Sequence, residues 1–505
     1  MRPDPFVGYS LLLRVIIYGA VPAFTAWQFV RLRRALHVFQ LEGYKRARFL
    51  DWCKQNRDRA RFLSRSTLKK PLVMTGRAWR ILLVATLLTV ALLLGPAAGG
   101  HLAWGAPADL IAWALSTVVA FWFAPQILVA ADVLLAPVQK AINSSYERGA
   151  RAKLARIGPE VVGVTGSFGK TSTKVAIAGL LGGTAYPTPG SYNTPMGVCR
   201  AINEGLDGSH RFFIVEMGAY QRGEIAELCR LVEPKVGVLT AIGPAHLERF
   251  GSLDTIRAAK YEIVQALAPS GVAVMNVDDP EVRALADKTD HVRVIRYGID
   301  VAGRPDVTAT EIRVSERGTQ FIVGSAAGSA PAGMRLLGRH AIGHVLAAVG
   351  VGIALDRSLE ELVKRIGELE PAEHRLQVIP GAQGVTVIDD AYNSNPDGAA
   401  SALEVLDAMP GERKVVVTPG IIELGSKQAE ANERFGEAAA EIADTVIVVA
   451  RVNRDALVKG AERAGGAAEV ITVDSLDQAT EELKRLLRAG DVVLFENDLP
   501  DQYEN

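Results

Sequence analysis

The sequence predicts an α/β fold in which transmembrane helices precede two open, mostly parallel-sheet α/β domains. Two stretches of twenty or more uncharged residues lie within residues 1–150. From Gly158 onward, short apolar runs alternate with helix-like stretches, as in parallel sheets covered by helices. A second series of apolar runs follows Pro371, and a chain of 505 residues has room for both domains.

About three transmembrane helices are predicted in residues 1–150, at 8–30, 81–100 and 108–131. The stretches 81–100 and 110–131 contain no charged residue, and each can cross ~30 Å of hydrocarbon as a helix. The alternative interpretation of these two stretches is a pair of buried helices in a soluble protein. The first stretch contains Pro22, and a signal peptide or a surface helix is its alternative. No small-residue cleavage site follows it, which favours a span.

Charge predicts the orientation of these helices. Residues 31–80 hold fifteen Lys/Arg and three acidic residues, so the positive-inside rule makes them a basic cytoplasmic loop. Lys140, Arg148 and Arg151 follow the last span on the same side. We therefore expect a multi-pass protein of the cytoplasmic (inner) membrane, with both α/β domains in the cytoplasm. The loop either contacts anionic membrane lipid or only sets the topology, and both readings stay open.

Composition excludes several classes of protein. The three cysteines are far apart in the sequence, which argues against a disulfide framework and against a cysteine metal site. The 56 Lys+Arg balance the 56 Asp+Glu, and we expect no nucleic-acid partner.

The two α/β domains are predicted over 151–370 and 371–505. The predicted strands are VVGVT (161–165), FFIVE (212–216), VGVLT (236–240) and VAVMN (272–276) in the first domain, and VTVID (385–389), KVVVT (414–418), TVIVV (445–449) and VVLFE (492–496) in the second. Helices are predicted over Thr171–Leu181, Glu224–Leu231 and Leu253–Leu267.

A glycine-rich turn, TGSFGKT at 165–171, joins the first predicted strand to the first helix. Such a turn points backbone N–H groups and a helix N-terminus at one spot, and that spot binds phosphate. Lys170 would reach the β- and γ-phosphates of a nucleotide, and Thr171 would place its hydroxyl on Mg²⁺. Val164 stands where the common P-loop has its first glycine, so a purely structural turn is the alternative.

Three polar residues follow the neighbouring strands. Glu216 ends FFIVE, His246 follows VGVLT, and Lys260 lies in the next predicted helix. Ligands of open α/β sheets gather at the carboxyl ends of the strands. Taken singly, the three residues have ordinary structural readings as a surface carboxylate, a structural histidine and a solvated lysine.

Six motifs in a fixed order add to this pattern. They are TGSFGKTSTK (165–174), SYNTPMG (191–197), EMGA (216–219), AHLERFGSL (245–253) followed by Lys260, MNVDDP (275–280) and IDDAYNSNP (388–396). Together they resemble the Mur ligases, ATP-dependent enzymes that build the stem peptide of peptidoglycan. The resemblance covers roughly residues 158–495 and is greatest to the branch that adds D-alanyl-D-alanine. In Mur ligases this loop has the sequence TGxxGKT, without the first glycine of the common P-loop, so Val164 agrees with the family pattern.

The resemblance implies a P-loop-type ATP domain, a Rossmann-like C-terminal domain, and ATP and Mg²⁺ as cofactors. It implies that a substrate carboxylate attacks the γ-phosphate to give an acyl phosphate, from which an incoming amine displaces phosphate. The implied cofactor-binding residues are Thr165, Gly166, Ser167, Gly169, Lys170, Thr171, Ser172, Asn276, Arg375 and Asp390. The implied metal ligands are Thr171, Glu216, His246 and Lys260, with Lys260 matching a lysine that becomes carbamylated. The implied catalytic residues are Lys170, Lys260, His246 and Arg375, and the substrate residues are Asn193, Thr194, Tyr392, Asn393 and Asn395.

Three features depart from the family pattern. Membrane spans occupy the place of the domain that holds the UDP-sugar. Ala341 and His344 stand where the family has asparagines, after Gly338-Arg339-His340. ENDLPDQYEN (496–505) and TPGIIELG (418–425) replace a KGS-type motif and a GDMLELG-type loop. The sequence therefore indicates the ATP machinery more firmly than either substrate.

The leading interpretation is a membrane-anchored amide ligase that adds an amino acid or a dipeptide such as D-Ala-D-Ala to a cell-wall muropeptide, with a lipid-linked acceptor as one possibility. A second is addition to the usual UDP-tripeptide, with the membrane region as a tether. A third is a subunit of an amidating complex that needs a glutaminase or other envelope-synthesis partner. A fourth is a nucleotide-gated membrane scaffold, which ATP hydrolysis without acceptor would favour.

Overall fold

The computed structural model of the chain describes residues 24, 26–56, 71–104, 108–245, 247–315, 318–371, 374–392, 394–466 and 468–498. The chain forms two compact units, Met1–Ser145 and Tyr146–Asn505. The described part of the first unit is helical, and the second unit contains two β-sheets with helices between the strands.

The described helices of the first unit are 26–41, Arg46–Gln55, Gly76–Trp104, Ala108–Trp122 and Ala124–Ile157, the last of which continues into the second unit. Two stretches are long and apolar enough to cross a membrane, Gly76–Pro96 with a mean hydropathy of 2.1 and Ala124–Ile157 with 1.3. Length and composition do not by themselves establish insertion, because a core helix of a soluble protein meets the same criteria. Residues 8–23 and 25 of the first predicted span lie outside the described residues.

The predicted span 108–131 is divided between two helices, with Phe123 as the single residue between them. Pro125 has no backbone N–H and cannot donate to the carbonyl of Phe121, as an unbroken helix would require. Arg31 satisfies that carbonyl instead, with its Nη1 donating at 2.8 Å. The helical hydrogen bonds continue around this point, because the N–H of Phe123 donates to the carbonyl of Val119 at 2.9 Å and the N–H of Ile127 to that of Phe123 at 2.8 Å.

The predicted basic loop 31–80 is partly helical. The helices 26–41 and Arg46–Gln55 take up much of its described part and bury Leu36, Phe39 and Phe49. Asp132, which is also buried, pairs with Arg46 at 2.7 Å and with Arg77 at 3.0 Å. A buried carboxylate needs such partners. Part of the basic charge of this region thus stabilises the first unit internally.

The first sheet of the second unit has nine strands within the described residues. They are β1 Glu160–Thr165, β2 Ala185–Pro187, β3 Phe212–Glu216, β4 Val236–Leu239, β5 Val272–Asn276, β6 Arg293–Gly298, β7 Val307–Ser315, β8 Gly318–Ser325 and β9 Gly328–Met334. Their order is β2-β3-β1-β4-β5-β6-β7-β8-β9, parallel from β2 to β7 and antiparallel from β7 to β9. The chain switches direction across the sheet at β1, and ligands of open sheets bind at such a switch point.

The second sheet is smaller and has an antiparallel edge strand. Its strands are β10 Gln377–Pro380, β11 Thr386–Asp390, β12 Lys414–Thr418, β13 Thr445–Val449, β14 Glu469–Val473 and β15 Val492–Glu496. Their order is β10-β11-β15-β12-β13-β14, and only β10 is antiparallel to its neighbour among these described strands. The last strand, β15, therefore lies inside the sheet, between β11 and β12.

Helices cover both faces of the first sheet. Its described helices are Lys170–Leu181, Pro195–Glu204, Glu224–Val232, Leu247–Phe250, Leu253–Gln265, Pro280–Ala286, Arg339–Ala354 and Leu359–Ile366. The second sheet is flanked by Pro396–Ala408, Gln428–Ile442, Arg454–Arg463 and Leu476–Leu486. Strands covered on both faces are apolar throughout instead of alternating, which explains runs such as FFIVE.

All eight predicted strands are confirmed to within one residue at each end. The antiparallel strands β7 to β10 were not predicted. The β8–β9 hairpin contains a Gly/Ala-rich stretch at 324–333, and such small residues give no apolar alternation from which a strand could be inferred.

Candidate functional site

The predicted phosphate-binding turn joins β1 to the helix Lys170–Leu181. Gly169 has a φ of 75°, and a Cβ at this position would lie 2.8 Å from Cε1 of His344, so glycine is required for both conformation and space. Lys170 Nζ donates to the carbonyls of Gly166 at 2.7 Å and Ser167 at 3.1 Å. Burial lowers the pKa of Lys170 to about 8, with Glu216 opposing this shift.

Two further predicted loop residues form hydrogen bonds with the backbone at the ends of the neighbouring strands. Thr165 Oγ1 donates to the carbonyl of Met217 at 2.8 Å. Ser167 Oγ exchanges hydrogen bonds with the backbone of Gly243, donating at 3.1 Å and accepting at 3.0 Å. Ser172, in the first turn of the helix, lines the cavity described below.

Glu216, at the end of β3, is the centre of a polar network. Its Oε2 accepts from Thr171 Oγ1 at 3.0 Å and pairs with Lys174 Nζ at 3.0 Å, and its Oε1 accepts from Asn193 at 3.1 Å. Burial alone would raise the pKa of Glu216, but Lys174, Lys170 and Asn193 outweigh it and lower the pKa. The carboxylate therefore stays ionised where the loop hydroxyl and the predicted substrate residue meet.

Lys174 was not among the predicted site residues. The side chains of Lys174 and Glu216 are each 3% exposed, and Lys174 Nζ also donates to the carbonyl of Gly190 at 2.7 Å. The TGSFGKTSTK motif contained a usable signal, because residues four apart, such as Lys170 and Lys174, share one face of a helix.

Lys260 lies in the helix Leu253–Gln265 and is buried, with its Nζ donating to the carbonyl of Ala219 at 3.4 Å. Burial, together with the nearby charge of Lys170, lowers the pKa of Lys260 to about 7 against the opposing charges of Glu224 and Glu262. The alternative interpretation of Lys260 as a solvated lysine is thus excluded. His246, the other predicted metal and catalytic residue of this region, lies outside the described residues.

A cavity of about 850 Å³ lies between the two sheets of the second unit. The residues that line it include Gly169, Ser172, Thr240, Asn276, Asp279, Tyr297, His340, His344, Arg375, Asp390, Ser394 and Asn395. Asn276 is held at the end of β5, where its Nδ2 donates to the carbonyl of Thr240 at 2.9 Å. The glycine loop and three predicted residues of the second domain, Arg375, Asp390 and Asn395, therefore face one cavity of a size that accommodates a nucleotide.

Arg375 and Asp390 form the wall of the cavity on the side of the second sheet. The guanidinium of Arg375 lies 4.4 Å from the ring centroid of Tyr392, and its Nε is buried without a hydrogen-bond partner. Burial lowers the pKa of Arg375, with Asp390 opposing. Burial also raises the pKa of Asp390 to about 6, with Arg375 opposing. Since Arg375 also acts on Lys170 and Glu216, the two domains are electrostatically coupled at the cavity.

The remaining predicted substrate residues do not share one environment. Thr194 and Asn395 cap helices, Thr194 accepting from the N–H of Gly197 at 3.3 Å and Asn395 from that of Gly398 at 3.0 Å. Tyr392 is exposed, and its hydroxyl hydrogen-bonds with Ser191 Oγ. Asn393 lies outside the described residues.

Ala341 and His344, which depart from the family pattern, line the cavity. His344 Nδ1 hydrogen-bonds with Thr173 Oγ1 at 3.0 Å, while His340 Nδ1 is buried without a partner. Burial lowers the pKa of His340 to about 4 and that of His344 to about 3, so both rings are neutral. Ala341 beside them is buried and has no polar side chain to offer a nucleobase. The departure ENDLPDQYEN begins at Glu496, which is the last residue of β15.

The oxygen atoms around Glu216 fit Mg²⁺. The Thr171 hydroxyl and the Glu216 carboxylate lie together, and Mg²⁺ prefers one or two such oxygens, completed by phosphate and water. Within the described residues, no group of three or more His, Cys, Asp or Glu side chains is arranged as a metal site. These residues therefore fit a metal ion that would receive its remaining ligands from a bound nucleotide and water.

Comparisons with known proteins agree with this arrangement. The Mur ligase middle domain matches residues 164–352, and the Mur ligase, glutamate ligase domain matches residues 374–496. A UDP-N-acetylmuramoyl-tripeptide–D-alanyl-D-alanine ligase of Mycobacterium leprae is 34% identical over 387 residues, covering 70% of this chain and 74% of the relative.

Two solved structures show the same architecture. A crystal structure of MurF from Acinetobacter baumannii has a TM-score of 0.63 at 27% identity and covers 70% of this chain and 77% of its own. MurF ligase from Thermotoga maritima in complex with ADP has a TM-score of 0.62 at 27% identity, with coverage of 70% and 80%.

Proposed function

Because the chain belongs to the Mur ligase family, we propose that it joins D-alanyl-D-alanine to a muropeptide of the cell-wall precursor through an acyl phosphate. It is an ATP-dependent acid–amino-acid ligase, and ATP and Mg²⁺ are its cofactors. The observation that supports the proposal best is the cavity of about 850 Å³, which the glycine loop and Arg375 face from opposite domains.

The first domain binds and orients the phosphates in this proposal. The turn 165–171 offers backbone N–H groups at a helix N-terminus, and Lys170 adds an ammonium beside them. Thr171 and Glu216 would hold Mg²⁺, which neutralises phosphate charge when bound. Lys174 keeps Glu216 ionised and in place through their 3.0 Å ion pair. Asn276 lies on the cavity wall where the resemblance places the adenine.

The second domain completes the reaction site. Attack of the acceptor carboxylate on the γ-phosphate builds negative charge at the transferred group, and the unpartnered Nε of Arg375 can donate to it. Enclosure by two domains excludes water, which would otherwise hydrolyse the acyl phosphate. The amine then forms the amide bond to the carbonyl carbon while the bond to phosphate breaks.

Lys260 is proposed to act as its carbamate. It is 3% exposed, and in the described part of the chain no carboxylate pairs with its ammonium, so the neutral amine that reacts with CO₂ is favoured. Lys260→Ala should lose ligase activity, and added bicarbonate should not restore it. Wild-type activity in Lys260→Ala would contradict the proposal, as would an unchanged rate for wild-type protein depleted of CO₂.

The first unit is proposed to anchor the enzyme in the cytoplasmic membrane. Leu83, Leu87, Leu115, Trp122 and Leu134 are large apolar side chains exposed on its helices. Such a surface is costly in water and is typical of a lipid-facing one. Sedimentation of the full chain with phospholipid vesicles in high salt and at alkaline pH tests insertion. A protein that stays in the supernatant without detergent would exclude the anchor.

The ligase reaction itself is tested with the purified full chain, ATP, Mg²⁺, D-alanyl-D-alanine and two matched acceptors, one UDP-linked and one lipid-linked. Mass spectrometry should find the acceptor extended by one dipeptide, with one ADP formed per product. Preference for the lipid-linked acceptor would give the membrane anchor a role in catalysis, whereas preference for the UDP-linked one would make it a tether. An extended product that appears only with ammonia and a glutaminase would replace this proposal with the amidating one.

A further inference from the structure

A buried carboxylate without a cationic partner lies at the carboxyl edge of the second sheet. Glu496 ends β15 and is 1% exposed. Its Oε1 accepts a hydrogen bond from Ser394 Oγ, and its Oε2 accepts one from Thr418 Oγ1 at 3.1 Å. In the described part of the chain, no lysine, arginine or histidine pairs with Glu496. Burying a charge without such a partner costs free energy of folding, and a residue of this kind is a candidate for a functional role.

The surroundings of Glu496 favour its protonated form in the absence of a ligand. Asp390, at the end of β11, is opposite Glu496 in the strand register, and β12 contributes the uncharged Thr418. Burial, together with the nearby charge of Asp390, raises the pKa of Glu496 to about 8 against the opposing hydrogen bonds from Ser394 and Thr418. A carboxyl group tuned toward the working pH in this way can act as a proton acceptor.

Ser394 connects Glu496 to the cavity. Its side chain hydrogen-bonds to Glu496, and Ser394 lines the cavity together with Asp390 and Arg375. Arg375 offers a buried Nε that has no hydrogen-bond partner, and so requires an anionic or polar ligand. One wall of the cavity thus combines a donor suited to an acyl phosphate with the hydroxyl of Ser394, which is hydrogen-bonded to the buried carboxyl group of Glu496.

We propose that Glu496, through the hydroxyl of Ser394, binds the ammonium group of the incoming amine and receives its proton before the amine attacks. This inference rests on the proposed function, because it concerns the second step of the ligation. The ammonium gives one proton to Ser394 as Ser394 passes its own to Glu496, which leaves a neutral amine and a protonated carboxyl group. The amine nitrogen bonds to the acyl carbon, the acyl–phosphate bond breaks, and the second N–H proton leaves with phosphate.

The experiment separates the two steps with hydroxylamine, which is largely unprotonated at neutral pH and traps acyl phosphates as hydroxamates. Glu496→Gln and Ser394→Ala are made in the full chain, with Asp474→Asn as a matched control on an exposed carboxylate of the same domain. We expect Glu496→Gln to lower the ligation rate with D-alanyl-D-alanine about 100-fold, the scale of a lost proton acceptor. Hydroxamate formation should stay near the wild-type rate. The wild-type ligation rate should rise with pH up to about 8, and the deficit of Glu496→Gln should shrink at higher pH, where the amine of the dipeptide loses its proton without help.

Three outcomes decide the matter. A Glu496→Gln variant with the wild-type ligation rate and pH profile overturns the inference alone. Equal loss of ligation and of hydroxamate formation in Glu496→Gln, with Asp474→Asn unaffected, also overturns it, because the residue would then serve the fold or the first step. A wild-type protein that forms no hydroxamate with either acceptor overturns the proposed function, and this inference with it.

Discussion

Glu216 and Glu496 occupy the same position in two different sheets. Each is the last residue of a parallel strand, and each is almost fully buried. Glu216 has Lys174 at 3.0 Å and Lys170 nearby, which lower its pKa against the effect of burial. Glu496 has only hydroxyl donors and a neighbouring carboxylate, and its pKa is raised to about 8. Position in the fold therefore does not determine the charge of a buried carboxylate; its partners do.

The difference assigns different chemistry to the two domains. A carboxylate that stays ionised beside a hydroxyl suits a hard cation, whereas one that is easily protonated suits proton transfer. A ligase needs both, because phosphoryl transfer requires charge neutralisation and the following attack requires a neutral amine. The comparison can be tested by removing each carboxylate or the charges around it.

The largest effect is expected from Lys170→Ala, which removes the ammonium of the glycine loop. Ligation should fall by about 10²–10³-fold or more, because a charge aimed at the transferred phosphoryl group is lost. Lys235→Ala is the control, since Lys235 is exposed and pairs with Glu160 at the opposite end of the sheet. Steady-state ligation rates are measured with circular dichroism as a check of the fold. Full activity in Lys170→Ala would remove the assigned phosphate site.

The second prediction compares the stability of Glu216→Gln and Glu496→Gln. Glu216→Gln leaves Lys174 buried without its partner and should lower the free energy of unfolding by about 3–5 kcal/mol. Near pH 4.5 the carboxyl group of folded Glu496 is neutral, so Glu496→Gln replaces one neutral group with another and should change the free energy of unfolding by less than about 1 kcal/mol. Urea unfolding of the full chain in detergent measures both.

A double variant checks the physical reason for this contrast. Glu216→Gln combined with Lys174→Met removes both charges and should recover much of the lost stability, giving a clear coupling energy in the double-mutant cycle. Equal destabilisation by Glu216→Gln and Glu496→Gln would show that the two carboxylates do not differ in their environments.

The third prediction follows from the raised pKa of Glu496. An acid whose pKa is higher in the folded state stabilises the protein below its unfolded pKa, and this stabilisation is lost as pH rises toward its folded pKa. The stability advantage of Glu496→Gln over the wild type should therefore grow between pH 4.5 and about 8 and stay constant above. Melting temperatures of both proteins over this range measure it. An advantage that does not change with pH would mean that Glu496 titrates normally.

The sequence predicts the first carboxylate site better than the second for a physical reason. Glu216 follows a strand in the same short motif order as Lys170 and Thr171, so local sequence indicates their meeting at one sheet edge. Glu496 meets Ser394 and Thr418 only because β15 inserts between β11 and β12. This pairing of strands brings together residues that are far apart in the chain, and no local sequence pattern indicates it. The same holds for Arg31 and Phe121 in the first unit.

Eight parallel strands could be predicted because burial on both faces leaves apolar runs, as in KVVVT, whereas the more exposed parallel strands β2, β6 and β14 were not predicted. The edge strands could not, since β10 reads QVIP and three of its four residues are exposed. Lys174 could have been found from its helical spacing, whereas the burial of Lys260 depends on packing against other elements. Prediction thus fails where long-range packing, and not local pattern, decides the environment of a side chain.

The smallest effect is expected from an ion pair that links the two α/β domains. Arg249, in the helix Leu247–Phe250, pairs with Glu423 in the loop after β12 at 2.7 Å, and this ion pair links the two domains. Glu423→Gln should raise the KM for ATP by a few-fold with little change in kcat, because a partly exposed pair contributes about 1 kcal/mol or less. Asp474→Asn, which weakens an exposed pair within one domain, is the matched control. A lower melting temperature at unchanged KM would mean that the pair stabilises the fold without helping the domains to enclose the nucleotide.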